Sequence, residues 1–320
     1  MSDVEKAVLV TGGAGLIGNA VRTLLETRGT EVIAVDRIGL TGDGKPLTVC
    51  DITDVHRLHA VVAGRSIGGI IHCGAFSGPM VQRENPSAMV QVNIVGTANV
   101  LELARIHSVD RFVLCSSTSA FGNTASESGP AMEPVPEDVA LRPSSVYGAS
   151  KAAGEQLVST YAQQYAVDGV SLRISWVYGP RRTTDCAIRT MIEDALAGRS
   201  THIPYGRNFP RQYIHVDDAA RALVTALDAP RLPRRTYTVT GGTYFTLGEI
   251  GDMVARLLPN AEISLGLGSD PVDDVQGRFD ISAIERDLGF SPAIGLEDGI
   301  RSYAKWLCAE ENGHLEGKSN

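Results

Sequence analysis

A glycine-rich turn near the start of the chain restricts the possible folds more than any other segment. The apolar run Ala7–Val10 is followed by Thr-Gly-Gly-Ala-Gly-Leu-Ile-Gly at positions 11–18, where a helical pattern begins. Glycines at this spacing between a strand and a helix permit a tight turn, close approach to a pyrophosphate and close packing of helix on strand. The helix N-terminus adds N–H donors and a partial positive charge. The turn therefore predicts a parallel α/β sheet with a dinucleotide at its carboxyl edge.

Strand and helix patterns alternate along most of the chain. Short apolar runs typical of buried parallel strands lie at Val32–Val35, Leu47–Cys50, Gly69–Cys73, Phe112–Cys115 and Val170–Ile174, with a weaker run at Tyr237–Val239. Helical patterns lie at Leu16–Arg28, Val55–Ala63, Ala88–Ile106 and Ser150–Tyr165. The alternation predicts an α/β fold, a Rossmann-type doubly wound parallel sheet with helices on both faces.

An acidic residue selects the dinucleotide. Asp36 ends the second predicted strand, 18 residues after Gly18. A carboxylate there accepts hydrogen bonds from ribose hydroxyls and repels a 2′-phosphate, which favours NAD over NADP. A plain turn or helix cap is the alternative for Asp36 and for Asp51. The other candidate cofactor contacts from the turn and the strand ends are Gly12, Gly15, Leu16, Ile17, Asp51, Ile52, Cys73, Gly74 and Ala75.

The regular alternation ends after Tyr178, where prolines interrupt shorter patterns. We expect residues 1–175 to form an NAD-binding Rossmann domain. Residues 176–320 are expected to form mainly a smaller substrate-binding lobe, with returns to the first domain near residues 210–240. Tyr213–Ala226 is the candidate for a return to the main sheet.

The charge and the cysteine content exclude several classes of protein. Lys and Arg number 29 and Asp and Glu number 37, so the formal net charge is −8, without the basic footprint of a nucleic-acid binder. No stretch approaches the ~18 apolar residues typical of a membrane span. The five cysteines include no Cys-x-x-Cys pair, which argues against a disulfide framework or a structural metal site. We expect a cytoplasmic protein that binds no nucleic acid, no membrane and no metal.

Three polar side chains suit proton removal from an alcohol. Tyr147 and Lys151 lie four residues apart in Tyr-Gly-Ala-Ser-Lys, on one face of a helix. A lysine ammonium close to a phenol favours the phenolate, so the pair predicts a general base. Ser117, just past the fifth predicted strand, could hold the substrate oxygen. The tyrosine–lysine spacing also occurs by chance, but with the glycine turn and the serine it favours proton removal while a hydride leaves for nicotinamide.

These motifs together resemble the extended short-chain dehydrogenase/reductases of the NAD-dependent epimerase/dehydratase family, which includes UDP-glucose 4-epimerases. The matching segments are TGGAGLIG, HCGA, CSSTSAFG, YGASK, LRISWVYGP, RQYIHVDD and Asp280–Pro292. By this resemblance Ser117, Tyr147 and Lys151 are catalytic, Tyr147 and Lys151 also touch the cofactor, and Asn93 matches the family's structural asparagine near it. The resemblance implies a sugar or nucleotide-sugar substrate and a homodimer formed through the helices that hold Asn93 and Tyr147.

Two departures from the family pattern bear on the reaction and the substrate. The dehydratases of the family carry Asp-Glu after the catalytic residue, whereas Ser117 is followed by Thr118 and Ser119, so dehydration is not expected. Nucleotide-sugar epimerases have an asparagine where this chain has Trp176. They also have a diphosphate-gripping arginine where this chain reads Gly268–Asp270.

Two arginines are candidates for the missing anion contact, because a diphosphate needs charge-assisted donors. Arg211 matches the family's phosphate-gripping arginine, although an ion pair with Asp217 or Asp218 is the alternative. Arg278 is the second candidate. The predicted substrate-binding residues are Ser117, Thr118, Trp176, Arg211 and Arg278.

Two enzymatic functions remain open. In an epimerase, Tyr147 takes a proton from the alcohol, the keto sugar rotates in the site, and the hydride returns to the other face of the keto sugar. A net NAD-dependent dehydrogenase of a free sugar, sugar acid or related alcohol is the alternative, and the departures at Trp176 and Gly268–Asp270 favour it. The family resemblance favours the epimerase. A non-enzymatic scaffold that responds to NAD conflicts with the intact Ser117, Tyr147 and Lys151.

Overall fold

The computed structural model describes residues 6–125 and 133–316 of the chain. Its strands in chain order are β1 Ala7–Thr11, β2 Val32–Asp36, β3 Thr48–Val49, β4 Ile67–His72, β5 Arg111–Ser117, β6 Gly169–Ile174, β7 Trp176–Tyr178, β8 Ser200–Ile203, β9 Pro210–Arg211, β10 Tyr213–His215, β11 Thr236–Val239, β12 Phe245–Thr246 and β13 Glu262–Leu265. Its α-helices are α1 Leu16–Thr27, α2 Val55–Val62, α3 Pro86–Val90, α4 Thr97–Ile106, α5 Val146–Tyr165, α6 Ala187–Leu196, α7 Val216–Asp228, α8 Leu247–Leu257, α9 Ser282–Leu288 and α10 Leu296–Glu316. A π-helical segment, Gln91–Gly96, joins α3 to α4, and a short 3₁₀ turn, Thr118–Ala120, follows β5.

Seven parallel strands form the central sheet in the order β11-β6-β5-β4-β1-β2-β3. The chain builds from β1 outward to β2 and β3, and then starts again on the other side of β1 with β4. A crevice therefore opens between the carboxyl ends of β1 and β4, where ligands of such sheets bind. This topology confirms the predicted α/β class and the Rossmann-type, doubly wound sheet.

Alternate residues of β1 point to opposite faces of the sheet, as the period of a strand requires. Val8 and Val10 belong to the core cluster under α1 and α7, whereas Leu9 belongs to the cluster under α2, α4 and α5. Helices therefore cover both faces of the sheet. A third cluster, around Tyr178 and Tyr213, packs α6, α8 and α10 together beside the sheet.

The helix predicted over Ala88–Ile106 is not one regular α-helix. Its middle six residues, Gln91–Gly96, wind as a π-helix between α3 and α4. Such segments often lie at functional sites, because the wider turn re-aims the side chains in it. Here Asn93 bonds the backbone of Phe76, and the Thr97 hydroxyl donates to the Asn93 carbonyl at 2.6 Å. The hydrophobic period of the sequence cannot distinguish this local widening from an α-helix.

The segment Tyr213–Ala226 does not add a strand to the central sheet. Its first three residues, β10, pair with β7 in a separate two-stranded sheet. The remainder lies in α7, which packs beside α1 on one face of the central sheet. The strand that joins the central sheet from residues 210–240 is β11, at the edge beside β6.

Three further properties of the described ranges concern membranes, metals and redox state. No helix there combines the length and the apolar character needed to cross a bilayer. Within the same residues, no group of three or more His, Cys, Asp or Glu side chains is placed to hold a metal ion. Among the described residues, Cys50, Cys73, Cys115 and Cys186 are free thiols.

Candidate active site

Two adjoining cavities open at the carboxyl edge of the central sheet. The larger one, called the central cavity here, has a volume of about 290 Å³ and lies over the ends of β1, β4, β5 and β6. The smaller one, the side cavity, has a volume of about 110 Å³ and lies over the ends of β1, β2 and β4. The residues that line both are Gly12, Gly15, Cys73, Ala75 and Phe76. One long ligand can therefore reach from one cavity into the other across the glycine turn.

The glycine turn between β1 and α1 fits a pyrophosphate. Gly12 has a φ of +70°, and a Cβ there would lie 2.7 Å from the backbone nitrogen of Gly74. Helix α1 begins at Leu16, and its N-cap residue, Gly15, offers no side chain to satisfy the first N–H groups. Leu16 and Ile17 help to form the wall of the central cavity. The helix N-terminus thus presents unpaired donors and a partial positive charge where a pyrophosphate would lie.

Asp36 lies in the wall of the side cavity at the end of β2. Its carboxylate accepts hydrogen bonds from the backbone N–H of Ala14 at 3.0 Å and of Arg37 at 2.7 Å. These bonds hold the carboxylate in place and leave it partly exposed, so it can accept hydrogen bonds from ribose hydroxyls. The Arg37 guanidinium lies 4.9 Å from the centre of the Phe76 ring and is held by that contact.

The other predicted cofactor contacts at the strand ends also line the side cavity. They are Asp51, Ile52, Cys73, Gly74 and Ala75. The Asp51 carboxylate accepts hydrogen bonds from the backbone N–H and the hydroxyl of Thr53, at 2.9 and 2.8 Å. Asp51 therefore fixes the turn before α2, as the alternative interpretation of it as a turn residue requires, while its contact with a cofactor stays a prediction.

Asn93 lies behind the wall of the two cavities. Its side-chain oxygen accepts a hydrogen bond from the backbone N–H of Phe76 at 2.8 Å. Its amide nitrogen donates to the Phe76 carbonyl and to the Ser150 hydroxyl, both at 3.0 Å. The Ser150 hydroxyl in turn donates to the carbonyl of Tyr147 at 2.7 Å. Asn93 thus ties the loop after β4 to the first turns of α5.

Ser117, Tyr147 and Lys151 meet in the wall of the central cavity. The Lys151 ammonium donates to the carbonyl of Cys115 at 2.8 Å and lies 5.8 Å from the centre of the Tyr147 ring. The Ser117 hydroxyl bonds the hydroxyl of Ser119 at 3.2 Å. All three side chains are nearly buried, with 7 to 8% of their surface exposed. The sequence-predicted group is therefore brought together at one closed end of the cavity.

Two small residues let α5 begin directly against the end of β5. Ser145 caps the helix by accepting a hydrogen bond from the N–H of Gly148 at 3.1 Å. A Cβ on Gly148 would overlap the carbonyl of Ser119, so only glycine allows this approach. Helix α5 begins at Val146, four residues earlier than predicted, and Tyr147 is therefore in its first turn.

The sequence patterns did not predict a buried ion pair that lies behind the site. The Glu155 carboxylate accepts hydrogen bonds from the Ser116 hydroxyl at 2.5 Å and from the Arg173 guanidinium at 2.7 Å. The side chains of Glu155 and Arg173 are only 2% and 7% exposed. The sequence carries one indication of this ion pair. Glu155 lies four residues after Lys151, so both charged side chains are on the same inward-facing side of the helix. This ion pair ties β5 and β6 to α5.

His72 is a second buried polar residue that the sequence did not single out. Its two ring nitrogens are bonded to the hydroxyls of Thr11 at 2.6 Å and Thr97 at 3.0 Å. Burial, with a smaller effect of the nearby Lys151 cation, lowers the pKa of His72 to about 3. A neutral imidazole thus links the ends of β1 and β4 to α4.

Cys73 and Cys115 end adjacent strands, and both line the central cavity. A hydrogen bond from the Cys73 thiol lowers the pKa of Cys115, and the same bond together with burial raises the pKa of Cys73. Both thiols therefore face the ligand space of the central cavity.

The predicted substrate residues Thr118 and Trp176 line the central cavity, whereas Arg278 does not. The Thr118 carbonyl accepts a hydrogen bond from the side chain of Gln276 at 2.8 Å, which closes the C-terminal part of the chain over the cavity. Trp176 is half-buried and forms part of the cavity wall beyond β6. Arg278 is exposed.

Arg211 is held by two carboxylates, neither of which was expected. Its guanidinium pairs with Asp270 at 2.6 Å and with Asp273. The alternative ion pair with Asp217 or Asp218 is therefore wrong. Asp218 accepts hydrogen bonds from Arg221 and from the backbone after α9, and the exposed Asp217 lies beside His215. The two partners of Arg211 lie about sixty residues along the chain, so spacing could not reveal them.

Comparisons with known proteins find relatives over nearly the whole chain. The family model described as the NAD dependent epimerase/dehydratase family matches residues 8–240. The chain is 29% identical to UDP-glucuronate 4-epimerase 4 of Arabidopsis thaliana, over 96% of this chain and 76% of that protein. It is 30% identical to the dTDP-glucose 4,6-dehydratase of Neisseria gonorrhoeae, over 94% and 95%. A structure of UDP-glucose 4-epimerase from Thermus thermophilus with NAD is 30% identical and superposes with a TM-score of 0.82, covering 94% of this chain and 99% of the other.

Proposed function

The chain belongs to the NAD-dependent epimerase/dehydratase family, and from this premise we propose that Tyr147 is the acid/base of its reaction, with Lys151 and Ser117 as partners. The chain is an NAD-dependent enzyme of the extended short-chain dehydrogenase/reductase type. It acts on a secondary alcohol of a sugar or nucleotide sugar, by epimerisation through a keto intermediate. The meeting of Ser117, Tyr147 and Lys151 in one wall of the central cavity carries the assignment of roles.

Each of the three side chains has a separate role in the transfer of one proton. Tyr147 takes the proton from the carbinol oxygen and later returns it. The Lys151 ammonium, fixed by the Cys115 carbonyl, stabilises the negative charge of the phenolate, which is the form of Tyr147 that accepts the proton. The Ser117 hydroxyl holds the substrate oxygen beside Tyr147. A bound NAD would supply the acceptor and donor of the hydride at the carbinol carbon. Epimerisation requires the keto sugar to rotate in the central cavity between the two hydride transfers.

We assign the cofactor contacts to the residues around the glycine turn and the side cavity. The N-terminus of α1, with Gly12, Gly15, Leu16 and Ile17, holds the pyrophosphate. Asp36 bonds the ribose hydroxyls and repels a 2′-phosphate, in keeping with NAD. The contacts proposed beside the adenine and the nicotinamide are Asp51, Ile52, Cys73, Gly74, Ala75, Tyr147 and Lys151, with Asn93 in support.

A net dehydrogenase of a free sugar, sugar acid or related alcohol is the second candidate. The observation that favours it is the pairing of Arg211 with Asp270 and Asp273, which removes a free cation from the substrate end of the site. Such an enzyme would need the same Tyr147 chemistry, and it would release NADH in each cycle.

We also propose a cytoplasmic homodimer. The free thiols of Cys50, Cys73, Cys115 and Cys186 suit a reducing compartment, where disulfides are rare. Among the residues whose exposure the structure describes, five of the eleven exposed large hydrophobic residues lie on α3 to α5 or on the π segment between α3 and α4, which makes these helices the proposed interface. They are Val90, Val95, Ile106, Val146 and Tyr165.

The test of the catalytic proposal is an NMR time course with UDP-glucose and UDP-galactose, each with NAD⁺ far below the sugar concentration. We expect product in excess of the NAD⁺ present, because epimerisation is redox-neutral. Tyr147→Phe should lower kcat by about 100-fold or more, since it removes the proton acceptor. Tyr161→Phe, on the same helix and distant from the cavities, is the matched control and should keep full activity.

Either of two results would contradict the proposal. If Tyr147→Phe epimerises at the wild-type rate, Tyr147 is not the acid/base. If one NADH appears for each sugar oxidised and no epimer forms, the enzyme is the net dehydrogenase.

A further inference from the structure

The substrate end of the site continues past the central cavity. A narrow cleft, called the distal cleft here, shares Ser175 and Trp176 with the central cavity and extends to Arg211, Asp274 and Gln276. The lining of the central cavity leads from Tyr147 through Ser175 and Trp176 to this cleft. A nucleotide sugar that followed this lining from its reacting carbon would bring its diphosphate toward Trp176, because the diphosphate links the sugar to the nucleoside.

Each cationic side chain along this path already makes hydrogen bonds within the protein, and Arg211 is the one that is paired with carboxylates. Among the described residues that line the central cavity and the distal cleft, the cationic side chains are those of Lys151, Arg182 and Arg211. Lys151 is bound to a carbonyl of β5. The Arg182 guanidinium donates to the carbonyls of Val177, Thr184 and Asp185.

Arg211 is enclosed on nearly every side. Its two terminal nitrogens donate to Asp270 and Asp273, and its guanidinium carbon lies 4.3 Å from the centre of the Trp176 ring. Its Nε is buried without a hydrogen-bond partner. A phosphate oxygen that approached either terminal nitrogen of this guanidinium would therefore compete with a carboxylate that already holds it.

The net charge of Arg211 and its two aspartate partners is negative. One arginine and two ionised aspartates give a net charge of −1, and Asp274 adds a further carboxylate to the cleft. A diphosphate in a nucleotide sugar carries two negative charges. Its approach is opposed by the like charges, and its gain from Arg211 is offset by the broken ion pairs.

We propose that Asp270 and Asp273 are specificity-determining residues that weaken the binding of nucleoside diphosphates by holding Arg211 in ion pairs. The site consequently binds a nucleotide sugar more weakly than the same site with an unpaired Arg211 would, while the binding of a sugar without a diphosphate is unaffected. This proposal rests on the proposed function, because it assumes that the reacting carbon lies at Tyr147.

Asp270 is the residue to change, because an asparagine can keep its structural bonds. Its Oδ1 accepts hydrogen bonds from the backbone N–H groups of Val272 at 2.8 Å and Asp273 at 3.1 Å. The carbonyl oxygen of an asparagine can accept the same two bonds. Asp270→Asn thus removes one negative charge from Arg211 and preserves the turn.

The test is calorimetric titration of the NAD-loaded enzyme with UDP and, separately, with uridine, which lacks the phosphates. We expect Asp270→Asn to tighten UDP binding by about tenfold or more and to leave uridine binding unchanged. Asp110→Asn is the matched control, because it makes the same change of net charge at an exposed ion pair with Lys6. It should leave both dissociation constants unchanged. Near-ultraviolet circular dichroism confirms that each variant is folded.

Three results would overturn the proposal. They are equal UDP affinity in the wild type and Asp270→Asn, weaker UDP binding in the variant, and an equal gain for uridine. The NMR assay keeps this separate from the catalytic proposal. If the wild type epimerises UDP-glucose while Asp270→Asn fails to gain UDP affinity, only the specificity proposal falls. If Tyr147→Phe keeps full activity on any sugar, the catalytic proposal falls instead.

Discussion

Single residues at this site act through backbone contacts as much as through charge. Lys151 is fixed by a carbonyl of β5, and Asn93 uses its whole amide on Phe76 and Ser150. The spacing of Tyr147 and Lys151 predicted a shared helix face. That this face meets Ser117 depends on Gly148, which allows α5 to touch the turn after β5.

The protonation state of the Asp273 carboxyl should make the affinity for a nucleotide sugar depend on pH. Burial raises the pKa of Asp273 to about 6, against the opposing effect of Arg211. As the pH falls from about 7.5 to 5.5, Asp273 gains a proton and Arg211 loses one of its two counter-charges. We therefore expect UDP-glucose to bind several-fold more tightly at the lower pH. The other titratable side chains around Asp273 are Arg211 on β9, Asp270 and Asp274 on its own loop, Tyr205, and Tyr213 on β10.

Titration calorimetry with Tyr147→Phe, which prevents turnover, measures this dependence. Both phosphates of UDP-glucose are esterified, so the ligand itself does not titrate in the range. Asp273→Asn should abolish the pH dependence and bind at neutral pH as tightly as the wild type does at low pH. A dissociation constant that stays flat or rises as the pH falls would show that Asp273 does not control Arg211.

At the scale of elements, β5 and α5 form the unit that holds the three proposed catalytic side chains. Ser117 ends β5, Tyr147 and Lys151 open α5, and Glu155 joins this helix to β5 and to β6 through Arg173. The strands, the helix and the three catalytic candidates could all be predicted, because period and spacing are local signals. The ion pair behind them could not, because its members come from α5 and β6 and become neighbours only after the sheet forms.

Removal of that ion pair should destabilise the whole unit. Glu155→Gln leaves the buried Arg173 without its charge partner, and breaking such a pair costs about 3 kcal/mol or more. We expect the free energy of unfolding in urea to fall by this amount. Glu102→Gln is the control, because Glu102 pairs with Arg105 at an exposed position of α4, where the loss should stay below about 1 kcal/mol. If the free energy of unfolding falls equally in the two variants, burial does not make the Glu155–Arg173 pair more stabilising than an exposed pair.

Across the whole molecule, sequence patterns predict the parts that are local and periodic. The alternation of strands and helices predicted the central sheet, and the glycine turn predicted its ligand edge. The second half of the chain contributes to the sheet and to the site through long-range contacts, which no local sequence pattern predicts. β11 reaches the sheet edge beside β6, and Asp270 and Asp273 meet Arg211 from a loop about sixty residues away.

The exposed apolar surface of α3 to α5 predicts the oligomeric state. A chain of 34.0 kDa with this surface buried in a homodimer should show a mass of about 68 kDa by light scattering at micromolar concentration. Val95 is 40% exposed, in the π segment between α3 and α4. Val95→Glu places a charge at the proposed interface, so we expect it to shift the protein to a monomer near 34 kDa.

The control for this test is Leu267→Glu, at the most exposed large hydrophobic residue and away from these helices. It should remain a dimer, because its side chain is outside the proposed interface. A wild-type mass near 34 kDa would contradict the homodimer. A dimeric Val95→Glu would mean that the chains associate through a different surface, and the apolar face of α3 to α5 would then need another partner to explain its exposure.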